Sequence, residues 1–359
     1  MSELARPAQG GECLDGGKHP RLQLLRQRGP QVRVEDTAGL VPLEGRARML
    51  VAVCLMCVVL HSEVLHYYQL QRLGASYPSL DLIAAIGELL LDVTVAPKGL
   101  LRPGDDQDAH IRLGGGGQAS NFCAWAASLG ERSRLITRVG DDAAGRLLVA
   151  ELAASGVEVL AARGSEPTGV VVVLVEPGGE RTFARQRGAS TGLRPDDLSD
   201  AWLSGLRLLH VPAYALFHEP LASAARRAVE LVRVHKTLVS VDLSSAIGLR
   251  EYGGAQMAKE LLRLAPDLLF ATEDELAELN LPPGRLARLV VVKLGARGCR
   301  VLGRLVPAPL VDQVDTTGAG DAFAAAFCAA YVEGSTPLEA AGRAVLVAGR
   351  AVGRLGARP

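Results

Sequence analysis

Residues 315–323 read Asp-Thr-Thr-Gly-Ala-Gly-Asp-Ala-Phe, and a run of small apolar residues follows. A turn of Gly318, Ala319 and Gly320 that opens a helix leaves several backbone N–H groups unpaired and aimed outward. Together with the positive end of the helix dipole, these donors form an anion site. Asp321 stands at the same helix start. Its plain reading is a helix cap. Beside an anion site it is also a base, placed to take the proton from a hydroxyl that attacks a phosphoryl group. A cap alone does not require Gly-Ala-Gly before it, which favours the second reading. The backbone N–H groups of Gly318, Ala319 and Gly320 would then stabilise the transferred group. Gly318 and Gly320 would be needed because a Cβ there obstructs close phosphate approach or the required backbone angles. Asp315 and Thr317 would fix the turn.

Other constellations precede this one. They are Gly116-Gly117-Gln118-Ala119-Ser120-Asn121, Arg138-Val139-Gly140-Asp141-Asp142-Ala143-Ala144-Gly145, Pro167-Thr168-Gly169 with Gly179-Glu180-Arg181-Thr182, and Lys293-Leu294-Gly295-Ala296-Arg297-Gly298. In this order, and from about Leu80 onward, the set resembles the ribokinase-type (PfkB) carbohydrate kinase family. The resemblance implies an α/β fold: a ribokinase-like three-layer sandwich with a central, mostly parallel sheet and a small β-strand lid. It implies an ATP- and Mg²⁺-dependent transferase of the ribokinase, fructokinase or 2-keto-3-deoxygluconate kinase type, moving the γ-phosphoryl group to a hydroxyl of a small sugar. A cytoplasmic location and a homodimer formed through the lid also follow from it.

The resemblance distributes roles over the chain. Asp321 is the catalytic base, with Gly318, Ala319 and Gly320 as the anion hole. Asp92, Gly116, Gly117 and Asn121 bind the sugar, although Asn121 also suits a helix N-cap. Thr272, Lys293, Gly295 and Gly298 bind the nucleotide. Glu275 orients water around Mg²⁺, an ion that keeps much of its hydration shell. Asp315 helps hold a monovalent cation, potassium, behind the anion hole. Three departures stand out: Thr272 replaces the family's Asn, Gln118 stands where ribokinases carry Lys, and Leu208–Ala213 offers no sugar-binding carboxylate. They weaken the case for ribose without disturbing the kinase reading. Arg185 and Arg187 suit either contact with an acidic or phosphorylated sugar or the wet face of a hairpin. His110 is read as a lid or surface residue, and His210, His218 and His235, without ligand spacing, as structural.

Competing functions are a nucleoside kinase of the same fold and a non-catalytic sugar- or nucleotide-binding module. Aromatics are few at 4%, which disfavours an aromatic base pocket, and retention of Asp321 disfavours lost catalysis. Gly114–Gly117 lacks the spacing and ribose acid of a dinucleotide site, and no Gly-x-x-x-x-Gly-Lys-Ser/Thr occurs. With 39 basic and 39 acidic residues and no basic stripe, nucleic acid is not the expected partner. Six scattered cysteines fit a reducing compartment. Cys54-x-x-Cys57, with His61 and His66 downstream, lies in an apolar run without a polar scaffold for zinc.

The positioning elements follow from pattern. Residues 1–79 read as an N-terminal extension, partly disordered and dispensable for chemistry, ahead of a kinase domain at 80–359. Within the extension, Met49–Leu60 is apolar but shorter than the roughly 20 residues of a membrane span. Short apolar runs at 82–86, 133–139, 206–211, 238–241, 268–271 and 289–293 predict buried strands. Helical patterns at 143–155, 220–235, 322–331 and 337–350 alternate with them, the signature of a parallel sheet between helices. Segments 91–113 and 170–187 alternate polar and apolar residues, the second around a Pro177-Gly178-Gly179 turn. They are expected to form antiparallel lid strands with one wet face.

Overall fold

A computed structural model describes residues 82–176 and 180–359. The extension, Met49–Leu60, the Cys54–Cys57 pair, the 79/80 boundary and the Pro177–Gly179 turn lie outside the described residues.

Thirteen strands are described: β1 Leu82–Ile86, β2 Leu90–Pro97, β3 Ala109–Gly116, β4 Arg132–Gly140, β5 Val157–Gly164, β6 Thr168–Val175, β7 Arg181–Gly188, β8 Leu206–Pro212, β9 Leu238–Asp242, β10 Leu268–Thr272, β11 Leu289–Lys293, β12 Cys299–Val301 and β13 Arg304–Val306. Nine form one sheet in the order β13-β12-β11-β10-β9-β8-β1-β4-β5. It is parallel from β11 to β5, and β12 and β13 add an antiparallel edge.

Strand periodicity divides the core between the two faces of this sheet. In β1, Ile83 and Ala85 pack with Phe122, Leu148, Phe270, Phe323 and Phe327. Leu82, Ala84 and Ile86 pack with Ala225, Val229, Met257 and Leu261 on the other face. Such strands are apolar throughout because helices cover both sides. The helix Ala319–Val332 is buried almost all round for the same reason, being pressed on the sheet and flanked by the helices Gln118–Ser128 and Pro337–Val352.

The chain runs outward from β1 through β4 to β5, then returns beyond β1 to build β8 to β11 in the opposite direction. The reversal between β1 and β8 is a topological switch point, where a crevice opens at the carboxyl ends of the strands. Glu88, Asp242, Thr272 and Lys293 all stand at or just past such ends.

The second sheet, β3-β2-β6-β7, differs from expectation in one respect. Its two hairpins are antiparallel, but β2 and β6 pair in parallel. The hairpins come from segments separated by β4 and β5, so no tight turn constrains how they meet. The predicted alternation holds. Asp92, Thr94, Arg112, Val171, Val173, Phe183 and Arg185 share one face, while Val93, Val95, Ile111, Leu113, Val172 and Leu174 share the other.

Candidate active site

Asp321 is buried as the third residue of the helix Ala319–Val332. The N-cap position belongs to Gly318, at φ +76°, so Asp321 is not the cap residue. Its Oδ2 accepts a hydrogen bond from Asn121 Nδ2 at 2.9 Å, across 200 residues of sequence. Burial pushes the Asp321 carboxyl up to about 7. The Asn121 and Gln118 side chains and the Lys293 charge pull it down, while Asp242 pushes it further up. A carboxylate poised near neutrality, at a helix N-terminus and beside a glycine turn, can act as a general base at the pH where it must work.

The glycines serve the protein's own close contacts first. A Cβ on Gly116 would collide with the Asp92 carboxylate, and one on Gly117 (φ +98°) with the backbone carbonyl of Glu88. A Cβ on Gly318 would strike the backbone of Ala357, whereas the space beside Gly320 is open except for Lys293 Nζ at 3.7 Å. Of the two turn glycines, Gly320 is therefore the one that leaves room next to a cation.

Burial pushes the Asp92 carboxyl, on β2, up to about 6 against the opposing pull of Arg358. Asn121 lies in the first turn of the helix Gln118–Ser128, whose N-cap is Gly117; Asn121 is not the cap, and its amide faces Asp321. Gln118, where ribokinases carry Lys, stands close enough to favour the ionised form of Asp321.

On the other side of Asp321, Lys293 Nζ donates to both carboxylate oxygens of Asp242, each at 2.8 Å. Burial opposes the Lys293 charge, but the Asp242 and Glu275 carboxylates outweigh it and hold its pKa above the ordinary range. Thr272 and Glu275 form a reciprocal cap on the helix Glu273–Leu279: Thr272 N–H donates to Glu275 Oε2 at 2.7 Å, and Glu275 N–H to Thr272 Oγ1 at 3.2 Å. Burial raises the Glu275 carboxyl, Lys293 opposing and Asp242 adding to it. Thr for Asn at this position is thus a good N-cap exchange. Gly295 and Gly298 take φ of +59° and +95° in the loop after β11, and a Cβ on Gly298 would meet the carbonyl of Val306.

Asp315 accepts backbone N–H bonds from Thr317 at 2.8 Å and Gly356 at 3.1 Å. Arg187 is committed to the buried Glu88 carboxylate and lies 4.9 Å over the Tyr214 ring. Arg185 is exposed on the lid face that carries Asp92. His110 is an exposed lid residue. His210 is buried, stacked on Phe122 with 4.0 Å between centroids; burial lowers its pKa to about 4, which keeps it neutral.

Two participants escaped the sequence reading. Asp242 terminates the predicted strand 238–241, and a carboxylate closing an apolar run was the available signal. The segment Gly356–Arg358 gave none. Ala357 accepts from Trp125 Nε1 at 2.9 Å, and Arg358 reaches Gly116, Ser120 and Asn121.

A mostly parallel sheet between helices, with an Asp at the mouth of a Gly-Ala-Gly helix start and a small second sheet, defines a ribokinase-like phosphotransferase. Residues 80–359 match the pfkB family carbohydrate kinases, and the chain belongs to that family. It is 30% identical to a probable fructokinase-4 of Arabidopsis thaliana, covering 74% of this chain and 87% of that protein. It is 33% identical to an ATP-dependent ribose-1-phosphate kinase of Halopiger xanaduensis, covering 70% and 84%. Among solved structures, the adenosine kinase from Sinorhizobium meliloti superposes with a TM-score of 0.69 at 25% identity, over 79% of this chain and 96% of that one. A putative ribokinase II from E. coli in complex with ATP and Mg²⁺ superposes with a TM-score of 0.67 at 25% identity, over 77% and 94%. The chain is a sugar kinase of this fold. Among the described residues, no helix is long and apolar enough to cross a membrane.

Proposed function

We propose that the chain transfers the γ-phosphoryl group of ATP to a hydroxyl of a small sugar, with Asp321 as the base. The observation that carries this is the buried Asp321 carboxylate, poised near pH 7 beside the Gly318–Gly320 turn and held by Asn121. A sugar hydroxyl seated between Asp92 and Asp321 would lose its proton to Asp321 as it attacks. Backbone N–H groups of the turn, with Lys293 nearby, would stabilise charge on the transferred group. Gly116, Gly117 and Asn121 shape the sugar side.

The nucleotide side fits ATP through the open space at Gly320 beside Lys293 and the turn glycines Gly295 and Gly298. Bound Mg²⁺ supplies neutralisation of phosphate charge. Among the described residues no group of three metal-ligating side chains converges, as suits an ion that keeps its waters and is held largely by phosphates, with Glu275 alongside. Asp315 accepts one backbone N–H bond at each carboxylate oxygen and keeps further lone pairs for a monovalent cation such as potassium.

Arg112 and Arg185 share the lid face of Asp92, and this favours an anionic sugar, phosphorylated or acidic, as a second reading. Purified protein given fructose, ribose, ribose 1-phosphate, 2-keto-3-deoxygluconate and adenosine in turn, scored for ADP release, tests both. Absence of turnover with every sugar would defeat the proposal. The opposite lid face, with Ile111 and Leu113 exposed, supports a homodimer through the lid. Buried, free Cys123, Cys299 and Cys328 support a reducing, cytoplasmic setting.

A further inference from the structure

Arg358 reaches into the sugar side of the site from the segment that follows the last helix. Its Nε donates to Asn121 Oδ1 at 3.3 Å, and its Nη2 donates to Ser120 Oγ at 2.9 Å and to Gly116 O at 3.3 Å. Its Nη1 lies 3.6 Å from Glu151 Oε1, and its charge acts on Asp92. The guanidinium is buried, with 12% of the side chain exposed. The segment is pinned on both sides. Gly356 N–H donates to Asp315 in the anion-hole turn, Ala357 accepts from Trp125, and Gly318 has no side chain where Ala357 passes. Residues 356–358 therefore bridge the two halves of the site.

We propose that Arg358 is a positioning residue for the phosphoryl transfer, acting through Asn121 on Asp321. A primary amide presents an acceptor at one end and donors at the other, whereas a guanidinium can only donate. With Arg358 on one side, Asn121 must turn its oxygen to the arginine and its NH₂ to Asp321. The amide orientation is then fixed by chemistry. Without Arg358, Asn121 is free to turn its oxygen toward Asp321, which can bond to that oxygen only by donating an O–H, that is, when protonated. The other groups facing Asp321 do not replace this control: Gln118 comes from the same helix as Asn121, Asp242 from the end of β9 and Lys293 from the end of β11. The inference rests on Asp321 being the base.

The test uses the full chain carrying R358M, R358K, N121A and the R358M/N121A pair, with D321N as reference. Turnover is measured with fructose and ATP as probes. The protonation midpoint of Asp321 in the folded protein is read as the pH at which the stability difference between each protein and its D321N counterpart stops growing and levels off, which needs no sugar. The expected result for R358M is a kcat about 10- to 100-fold lower, the range a small misplacement of a reacting group produces. The ATP KM should be nearly unchanged, the midpoint moved upward, and most of the loss recovered in R358K. In the N121A background R358M should add little, because its effect passes through Asn121. Lower melting with unchanged kcat per folded molecule and an unmoved midpoint would reduce Arg358 to a packing residue. Multiplying losses in the double variant would show that it does not act through Asn121. Normal turnover by D321N would instead remove the base on which the inference stands.

Discussion

Lys293 Nζ sits equidistant, at 2.8 Å, from the two carboxylate oxygens of Asp242, and Asp242 has no solvent exposure. A buried ion pair is weak evidence of net stability, but breaking it from one side strands a charge. K293M should therefore cost about 3–5 kcal/mol in chemical denaturation. D242L/K293M should recover much of that loss. Equal destabilisation in both variants would mean that Lys293 contributes contacts other than this pair.

For Asp321→Asn, size and much of the hydrogen bonding survive while proton acceptance is lost. Turnover should fall by about 10²–10⁴, the range for general-base removal. Sugar and ATP affinities measured by direct binding should change far less, because Asp92 and the glycine turn remain. A variant that melts lower yet turns over normally would leave Asp321 a structural residue of the helix's first turn.

The raised pKa of Asp321 has two consequences with pH. Turnover needs the ionised form, so kcat should fall as pH drops below about 7, losing a factor of about ten per pH unit. Stability runs the other way. Between its ordinary value and about 7 the folded protein keeps a proton that the unfolded chain has lost. That stabilisation is full below the unfolded value and disappears as pH rises through about 7. D321N should consequently be more stable than the parent at pH 8, by up to a few kcal/mol, since each pH unit between the unfolded and folded values is worth about 1.4 kcal/mol. At pH 4 it should show no such gain. Denaturation curves that separate the two proteins equally at both pH values would contradict a buried carboxylate whose charge is costly to hold.

Much of this was legible in the sequence. The predicted strands at 82–86 and 289–293 coincide with β1 and β11, because buried parallel strands are continuous apolar runs bounded by polar residues. The Asp321 turn was legible because its chemistry is local. Asp242 was passed over because its significance depends on Lys293, 51 residues away, and Arg358 because it meets Asn121 across 237 residues. Gly116 and Gly117 were read as sugar-binding residues, whereas the side chain of Asp92 and the backbone of Glu88 occupy the space where their side chains would be. The parallel β2–β6 pairing was not legible, since alternation fixes which residues share a face but not which strand lies alongside.

Removal of residues 1–79 should leave an active kinase, because every residue placed in the site lies between Glu88 and Arg358. Activity assays and melting of the 80–359 chain check this. Insolubility would show that the extension covers core. A folded but inactive product would show that it belongs to the site.

Closure of the lid should be visible as slowed backbone hydrogen exchange in 91–113 and 170–187 when a sugar that supports turnover is saturating. Unchanged exchange in both segments would refute the lid. At the lid's root, Asp142 accepts from both the N–H and the hydroxyl of Thr168, at 2.8 and 2.6 Å. T168V should loosen this anchorage and increase exchange in β6 before it affects the main sheet.

The parallel bond between β2 and β6 also bears on engineering. Each hairpin depends on the other for half of the central pairing, and they are encoded on opposite sides of β4 and β5. Transplanting 91–113 alone from another kinase would leave a mismatched seam through the middle of the visor. A graft meant to change which sugar is taken has to carry both stretches as a single inheritable unit.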